Sequence, residues 1–381
     1  MDYFKKSLEL HAKKKGKLEI KSKLPLNNKT DLSLAYTPGV AEPCREIAKD
    51  PTKAYKYTIK GNSVAVVTNG SAVLGLGNIG AQAALPVMEG KCVLFKKFAN
   101  IDAYPICLDT QDPQEIIRAV KLIAPGFGGI NLEDIKAPEC FEIEEELEKE
   151  LDIPVFHDDQ HGTAIVTLAA LINSLKIVGK KNNQIKIIIN GAGAAGIAVT
   201  KLLLAYGVKN IILIDSTGAI YSGREKLNPA KKEIAKVTNL KKEKGRIKDV
   251  IRGADVFIGI SVANVLEPKW VKMMAPKSII FAMANPVPEI MPDKAKKAGA
   301  MIIATGRSDF PNQINNVLAF PGIFRGLLDS QAKKATLEMK LEAARTLASM
   351  VKNPTPNKII PSVFNKQIVK KISQSIKKCI H

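Results

Sequence analysis

The stretch that decides the fold is KIIINGAGAAGIAVTKLLLAYGVKNIILID, residues 186–215. Lys186 to Asn190 reads as a buried strand, Ala194 to Ala205 as an apolar helix, and Asn210 to Asp215 as a second strand. Between the first two lies Gly191-Ala192-Gly193-Ala194-Ala195-Gly196. In such a turn the first glycine permits a tight bend and the second lets the backbone approach a pyrophosphate. The third lets helix and sheet pack closely, and the helix N-terminus faces the phosphates. Asp215 ends the second strand 19 residues beyond the last glycine, where an acid meets ribose hydroxyls. Gly191, Gly193, Gly196 and Asp215 are therefore predicted to bind a dinucleotide. Asp215, with no Lys or Arg at Ser216-Thr217, favours NAD over NADP, although Arg224 could reach back to a 2′-phosphate.

Further apolar strands are expected at Asp255 to Ser261, Ser278 to Met283 and Ala300 to Thr305, completing a doubly wound sheet. Upstream, strands are expected at Val64 to Thr68, Cys92 to Phe95, Ala103 to Leu108, Gly129 to Leu132 and Ile153 to Phe156. Helical periodicity at Pro113 to Ala124 and Pro138 to Leu151 separates some of them. The fold class is α/β: an N-terminal domain with a mainly parallel sheet, a Rossmann-type domain, and C-terminal helices from about Ser330. The expected division is 1–157, completed by helices from 317–381, and 158–316. A second GxGxxG, Gly75 to Gly80, has Asp102 downstream. Pro86 is expected to cut its helix short, and Asp102 precedes a strand instead of ending one, so the run reads as a loop near substrate.

With 46% hydrophobic residues the chain has enough apolar mass for real cores. No run of about 18 apolar residues is evident, so no membrane span is expected. The N-terminus lacks the apolar core of a secretory signal and reads as an amphipathic helix with Tyr3, Phe4, Leu8 and Leu10 inward. Five scattered cysteines fit a reducing cytoplasm. The net charge of +20 invites a nucleic-acid reading, but only 8 of the 57 basic residues are arginine. The basic runs are short and lack interleaved aromatics, so a solvated surface is expected, with no nucleic-acid or membrane partner.

Acidic groups follow two strands: Glu133-Asp134 after GGINL, and Asp158-Asp159 after IPVFH. Adjacent carboxylates repel unless a cation compensates them, and oxygen ligands suit Mg²⁺ or Mn²⁺. Asp158-Asp159 could equally cap the apolar helix Ala164 to Leu175, and spacing does not separate the two. His157 and His161, four apart across a strand-to-helix turn, are too few ligands for zinc.

AYTPGVAEPC, VVTNGSAVLGLGNIG, ALPVMEGK, GINLEDI, FHDDQHGTA, GAGAAG, FAMANPVPE and NQINNVLAFPG occur in that order. Together they resemble malic enzyme, in its short microbial form, from about Leu32 to Gly326. The resemblance implies that Tyr36 is the general acid and Lys91 the general base. It implies that Glu133, Asp134 and Asp159 are metal ligands and Asp158 a partner of the lysine. Asn285 and Asn316 would hydrogen-bond substrate. The implied reaction is NAD(P)-linked oxidative decarboxylation of malate to pyruvate in a homodimer. Lys91 must be neutral to accept a proton, so burial or a nearby cation is expected to lower its pKa. Larger family members carry an Arg before the LGLG loop that grips substrate carboxylate; Ala72 stands there, so another group must bind it. A non-decarboxylating hydroxy-acid dehydrogenase and an inactive dinucleotide-binding regulator are the alternatives.

Overall fold

In the computed structural model, which describes residues 3–73 and 75–380, the β-branched runs form two separate sheets. The first contains β1 Ser63–Thr68, β2 Asp102–Cys107, β3 Gly129–Leu132 and β4 Val155–His157. Its order is β2-β1-β3-β4 and every pair is parallel. The second contains β5 Lys186–Asn190, β6 Asn210–Asp215, β7 Gly218–Ala219, β8 Val256–Gly259, β9 Ile279–Ala282 and β10 Ile302–Thr305. Its order is β10-β9-β8-β5-β6-β7, parallel except for the short β6–β7 pair. The chain leaves β5 towards β6 and returns to β8 on the other flank. The carboxyl ends of β5 and β8 therefore form a switch-point crevice, where doubly wound sheets bind ligands.

Several expectations are corrected. Cys92 to Phe95 is no strand but part of the helix Ala81–Ala99, which runs through Pro86. Its buried residues Ala84, Met88, Lys91, Cys92, Phe95 and Ala99 recur with helical period, and that face decides its conformation. The next strand begins at Asp102, which pairs with Lys96 at 2.8 Å. The helix Tyr3–Lys14 exists, yet Tyr3, Phe4, Leu8 and Leu10 are all more than half exposed, so the face expected to turn inward is open to solvent. No described residue before Ser63 is buried. An apolar run not evident from the sequence does occur: the helix Asp158–Val178 is long and apolar enough to cross a membrane, but 78% of its most apolar 18-residue stretch is buried inside the protein. The C-terminal helices start earlier than Ser330, as Phe320–Ser330, Leu337–Ser349 and Ile368–Lys378. The first of these packs Phe320 and Phe324 on Phe95, with ring centroids 4.7 and 5.2 Å apart, and so joins the first sheet.

The helix Asp158–Val178 leads from the end of β4 to β5 and lies in the largest core, which draws on both sheets. Its Asn173 donates to the carbonyls of Ala348 and Ile359, each at 2.9 Å, tying it to the C-terminal segment.

Candidate active site

In the first sheet Leu132 of β3 lies beside His157 of β4. The residues that follow, Glu133-Asp134 and Asp158-Asp159, therefore emerge together at one sheet edge. The helix Ala81–Ala99 brings Lys91 there from the side. Its ammonium lies 2.8 Å from Glu133 Oε1 and 2.5 Å from Asp158 Oδ2, and all three side chains are buried. Asn316 Nδ2 also donates to Asp158 Oδ2, at 2.5 Å. Asn131 Nδ2 donates to Glu133 Oε2 at 2.9 Å. Asp159 accepts the backbone N–H of Asp134 at 2.8 Å. It thus faces its acidic neighbours across the sheet edge and caps no helix. Asp134 takes the left-handed conformation, φ 53°, rare for a residue with a side chain.

Glu133, Asp134 and Asp159 each offer an oxygen, all within 4.8 Å of one another. Asp134 Oδ2 is buried with no hydrogen-bond partner. Three clustered carboxylates with an orphaned oxygen fit a hard dication. Among the described residues this is the one cluster that could hold a metal; His161 instead pairs with Glu144 at 2.9 Å, so the histidines form no zinc site.

The electrostatics report the same crowding. Burial, reinforced by Asp159 and Glu133, pushes Asp134 up to about 9. Burial pushes Glu133 up to about 7, with Asp159 adding to it and Lys91 opposing. Burial likewise raises Asp158 and Asp159 to about 6, again against the pull of Lys91. At Lys91 the two expected influences are burial and a nearby cation, and of the two burial acts here. Burial alone would lower it, but Asp158 and Glu133 outweigh burial and hold it above the ordinary lysine range. Without a compensating cation, the amine is an ammonium.

Above this cluster lies a cavity of about 390 Å³ lined by Asp134, Lys136, Asp159, Gly193, Asn285 and Asn316 among others. Gly193 also lines a cleft of about 680 Å³ with Gly191, Asp215, Ser261 and Trp270, so the two spaces adjoin. At the predicted dinucleotide turn, Gly191 has φ 120°, and a methyl on Gly196 would sit 1.8 Å from the Gly191 carbonyl. A methyl on Gly193 would meet nothing, which leaves room for a phosphate group. Asp215 closes the far end. It accepts from Arg224 at 2.5 Å, Lys231 at 2.8 Å and the Thr217 backbone at 3.0 Å. Burial would raise its carboxyl, but these bonds hold it well below the usual carboxylate range.

Tyr36 is the one predicted site residue that stands apart. It follows the helix Lys29–Ala35, is 67% exposed, and does not line the cavity. The glycine run at 75–80 lies between β1 and a long helix, so the reason given against it, an early helix stop, fails. A side chain at Gly75 would reach within 3.2 Å of the Asn285 carbonyl, which puts the loop beside the cavity wall.

Sequence reading missed two supports. Glu144 is buried and accepts from the His157 backbone at 2.8 Å and Gln160 Nε2 at 2.9 Å, besides pairing with His161. It thereby holds the turn that carries Asp158 and Asp159. Burial opposes its ionisation, but His161 wins and draws it down to about 2. Gly162 is the second: a methyl there would lie 2.0 Å from Asp158 Oδ1. A carboxylate held this close to a glycine has no signature in one sequence.

Residues 15–148 match the family model of the malic enzyme N-terminal domain, and 160–380 that of the malic enzyme NAD-binding domain. The chain is 58% identical over 381 residues to the bifunctional malic/malolactic enzyme of Bacillus subtilis, covering 99% of this chain and 93% of that protein. It is 51% identical over 358 residues to an NADP-dependent malic enzyme of Halomonas elongata, covering 93% and 84%. The crystal structure of an NAD-dependent malic enzyme from Thermotoga maritima superposes with a TM-score of 0.95. That protein is 49% identical, and the match covers 97% of this chain and 98% of that one.

Raised carboxyl pKa values mean that the native state keeps protons the unfolded chain releases. Native stability from these acids is therefore full below about pH 4. It is lost as pH rises through about 6, 7 and 9, the native values of Asp159, Glu133 and Asp134. A divalent cation competes with those protons. Millimolar Mg²⁺ should therefore raise the thermal midpoint more at pH 8 than at pH 6, read by scanning fluorimetry. An equal shift at both pH values would contradict the assignment.

Proposed function

The chain belongs to the malic enzyme family, and from that premise we propose that it converts (S)-malate to pyruvate and CO₂ while reducing NAD or NADP, with Mg²⁺ or Mn²⁺ bound. The observation that carries this reading is the cavity shared by Asp134, Asp159 and Gly193: it joins the acidic cluster to the dinucleotide turn. In this reading Glu133, Asp134 and Asp159 hold the metal, and Gly191, Gly193, Gly196 and Asp215 bind the cofactor. The substrate half comprises 1–157 with the helices from 317 on; 158–316 binds the dinucleotide.

A dinucleotide bound at the glycine turn would supply a hydride acceptor, and a dication held by Glu133, Asp134 and Asp159 would supply Lewis-acid polarisation and charge compensation. The chain supplies the proton handling. Lys91 accepts the hydroxyl proton, and Asp158, itself held by Asn316, fixes its position. With Glu133 engaged by a cation, one of the two acids that hold a proton on Lys91 is withdrawn, which brings the amine towards its neutral, accepting form. Asn285 and Asn316, which both line the cavity, orient the substrate. Tyr36 returns a proton to C3.

For Tyr36 to act, it must reach such a cavity. Its own segment exposes Tyr3, Phe4, Leu8, Ile20 and Leu34 at 73% or more. So much exposed apolar surface on an arm in which no described residue is buried favours burial against a second copy. The protein acts as a homodimer in which Tyr36 serves the partner's site. Five free cysteines support a cytoplasmic setting. The positive surface attracts anionic substrate and cofactor rather than nucleic acid.

Asp215 supports a preference for NAD, since its ionised carboxylate would repel a 2′-phosphate. Arg224 and Lys231 temper that repulsion and leave NADP usable.

Malate with Mn²⁺ and NAD should yield reduced cofactor and CO₂ in equal amounts. Asp159→Ala should lower the rate at least about 100-fold while leaving NADH binding intact. Reduced cofactor without CO₂ would indicate a plain dehydrogenase, and no turnover an inactive regulator. Asp215→Ala should move the NADP-to-NAD ratio of kcat/KM upward by about tenfold; an unmoved ratio would remove Asp215 from cofactor choice. Lys91→Ala and Tyr36→Phe should each be inactive alone. Mixed and allowed to exchange subunits, they should regain about a quarter of native activity, because half the dimers carry one intact site. No recovery would place Tyr36 in its own subunit's site.

A further inference from the structure

Malate carries two carboxylates, and the side of the cavity around Ala72 gives them no charge. Among the described residues lining that cavity, the one basic side chain is Lys136. Lys91 is no substitute, because Asp158 and Glu133 already engage its ammonium. The backbone of Lys136 is fixed close to the metal set. It lies two residues beyond Asp134, and its N–H donates to Ser71 Oγ at 2.9 Å. One residue beyond Ser71, the Ala72 N–H donates to the Asp134 carbonyl at 2.9 Å. The loop after β1 and the loop after β3 are thus laced together, and the lysine leaves the lacing at the cavity rim.

The side chain is loosely held. Its ion-pair partner is Glu139 at 3.3 Å, with side-chain exposures of 42% and 29%. A pair this open contributes little, so exchanging it for a substrate carboxylate costs little.

We propose that Lys136 binds a carboxylate of malate, and specifically the one that pyruvate retains. This rests on the malate reading given above. The choice between the two carboxylates follows from energetics. Binding energy spent on the carboxylate that departs as CO₂ would stabilise the ground state and oppose its loss. Binding energy spent on the retained carboxylate holds the substrate in place through every step. Lys136 is therefore a specificity-determining residue, absent from the set that the sequence motifs single out.

The test is steady-state kinetics on the full-length protein with Lys136→Ala and Lys136→Arg, with NADH binding read by energy transfer from Trp270, the sole tryptophan, which lines the cofactor cleft. Lys136→Ala should raise the KM for malate about tenfold, the loss of one charge-assisted hydrogen bond. It should weaken product inhibition by pyruvate by the same factor, with kcat within about threefold and NADH binding unchanged. Lys136→Arg should restore most of both affinities. An unchanged KM for malate would overturn the proposal and assign the carboxylate to backbone donors or to the partner subunit. A weakened malate site with unchanged pyruvate inhibition would also overturn it, as the ion pair would then be to the departing group. Weakened NADH binding would show that Lys136 holds a cofactor phosphate instead. A native protein that does not turn over malate would count against the malate reading itself and is told apart by the unmutated control.

Discussion

Four carboxylates and one amine share the carboxyl edge of the first sheet, and the charge imbalance among them governs the rest of the structure. A buried ion costs several kcal/mol unless it is compensated. Lys91 compensates Asp158 and Glu133 directly, which leaves Asp134 and Asp159 in excess. The imbalance is built in by strand register: pairing Leu132 with His157 forces both acidic pairs to the same end. It is then held by groups with no chemistry of their own. Asn131 steadies Glu133, Glu144 steadies the turn at 157–161, and Gly162 leaves room for Asp158. Such outer support is where metal sites commonly spend as much sequence as on the ligands.

The dinucleotide half was the more legible of the two. β5, β6 and the helix Ala194–Ala205 carry the residue bounds read from the pattern, because continuous β-branched runs and a glycine turn leave few alternatives. The first half was harder. The run Cys92 to Phe95 satisfies a short strand as well as a helix face, and only the longer spacing from Ala84 to Ala99 separates them. The outward face of the helix Tyr3–Lys14 was unreadable for another reason: amphipathicity says that a face is to be covered, not by which molecule. The acids and Lys91 could be nominated from motif order, but the proton that Asp158 and Glu133 keep on Lys91 depends on distances no spacing reveals.

The Asp215 end of the larger cleft shows a similar opposition of charges. Asp215 is a fixed anion flanked by two cations, so that end carries neither a plain negative nor a plain positive field. Relatives of both cofactor types share this family. If Asp215 faces the ribose as proposed, a carboxylate neutralised by its neighbours would be a modest barrier to a 2′-phosphate, and Arg224 and Lys231 would set its height.

The helix Asp158–Val178 has a bearing on how the protein is made. Its cover includes the helix Leu337–Ser349, and its Asn173 is satisfied by carbonyls at 348 and 359. A ribosome delivers those residues roughly 10–35 s after the helix itself, at about 5–20 residues per second. Throughout that interval the helix can pack on the helix Ala194–Ala205 and on the strands made before it, but the face that the C-terminal segment covers has no partner yet. Closure of that one face must follow synthesis of nearly the whole polypeptide, so the last step of burial is C-terminal docking.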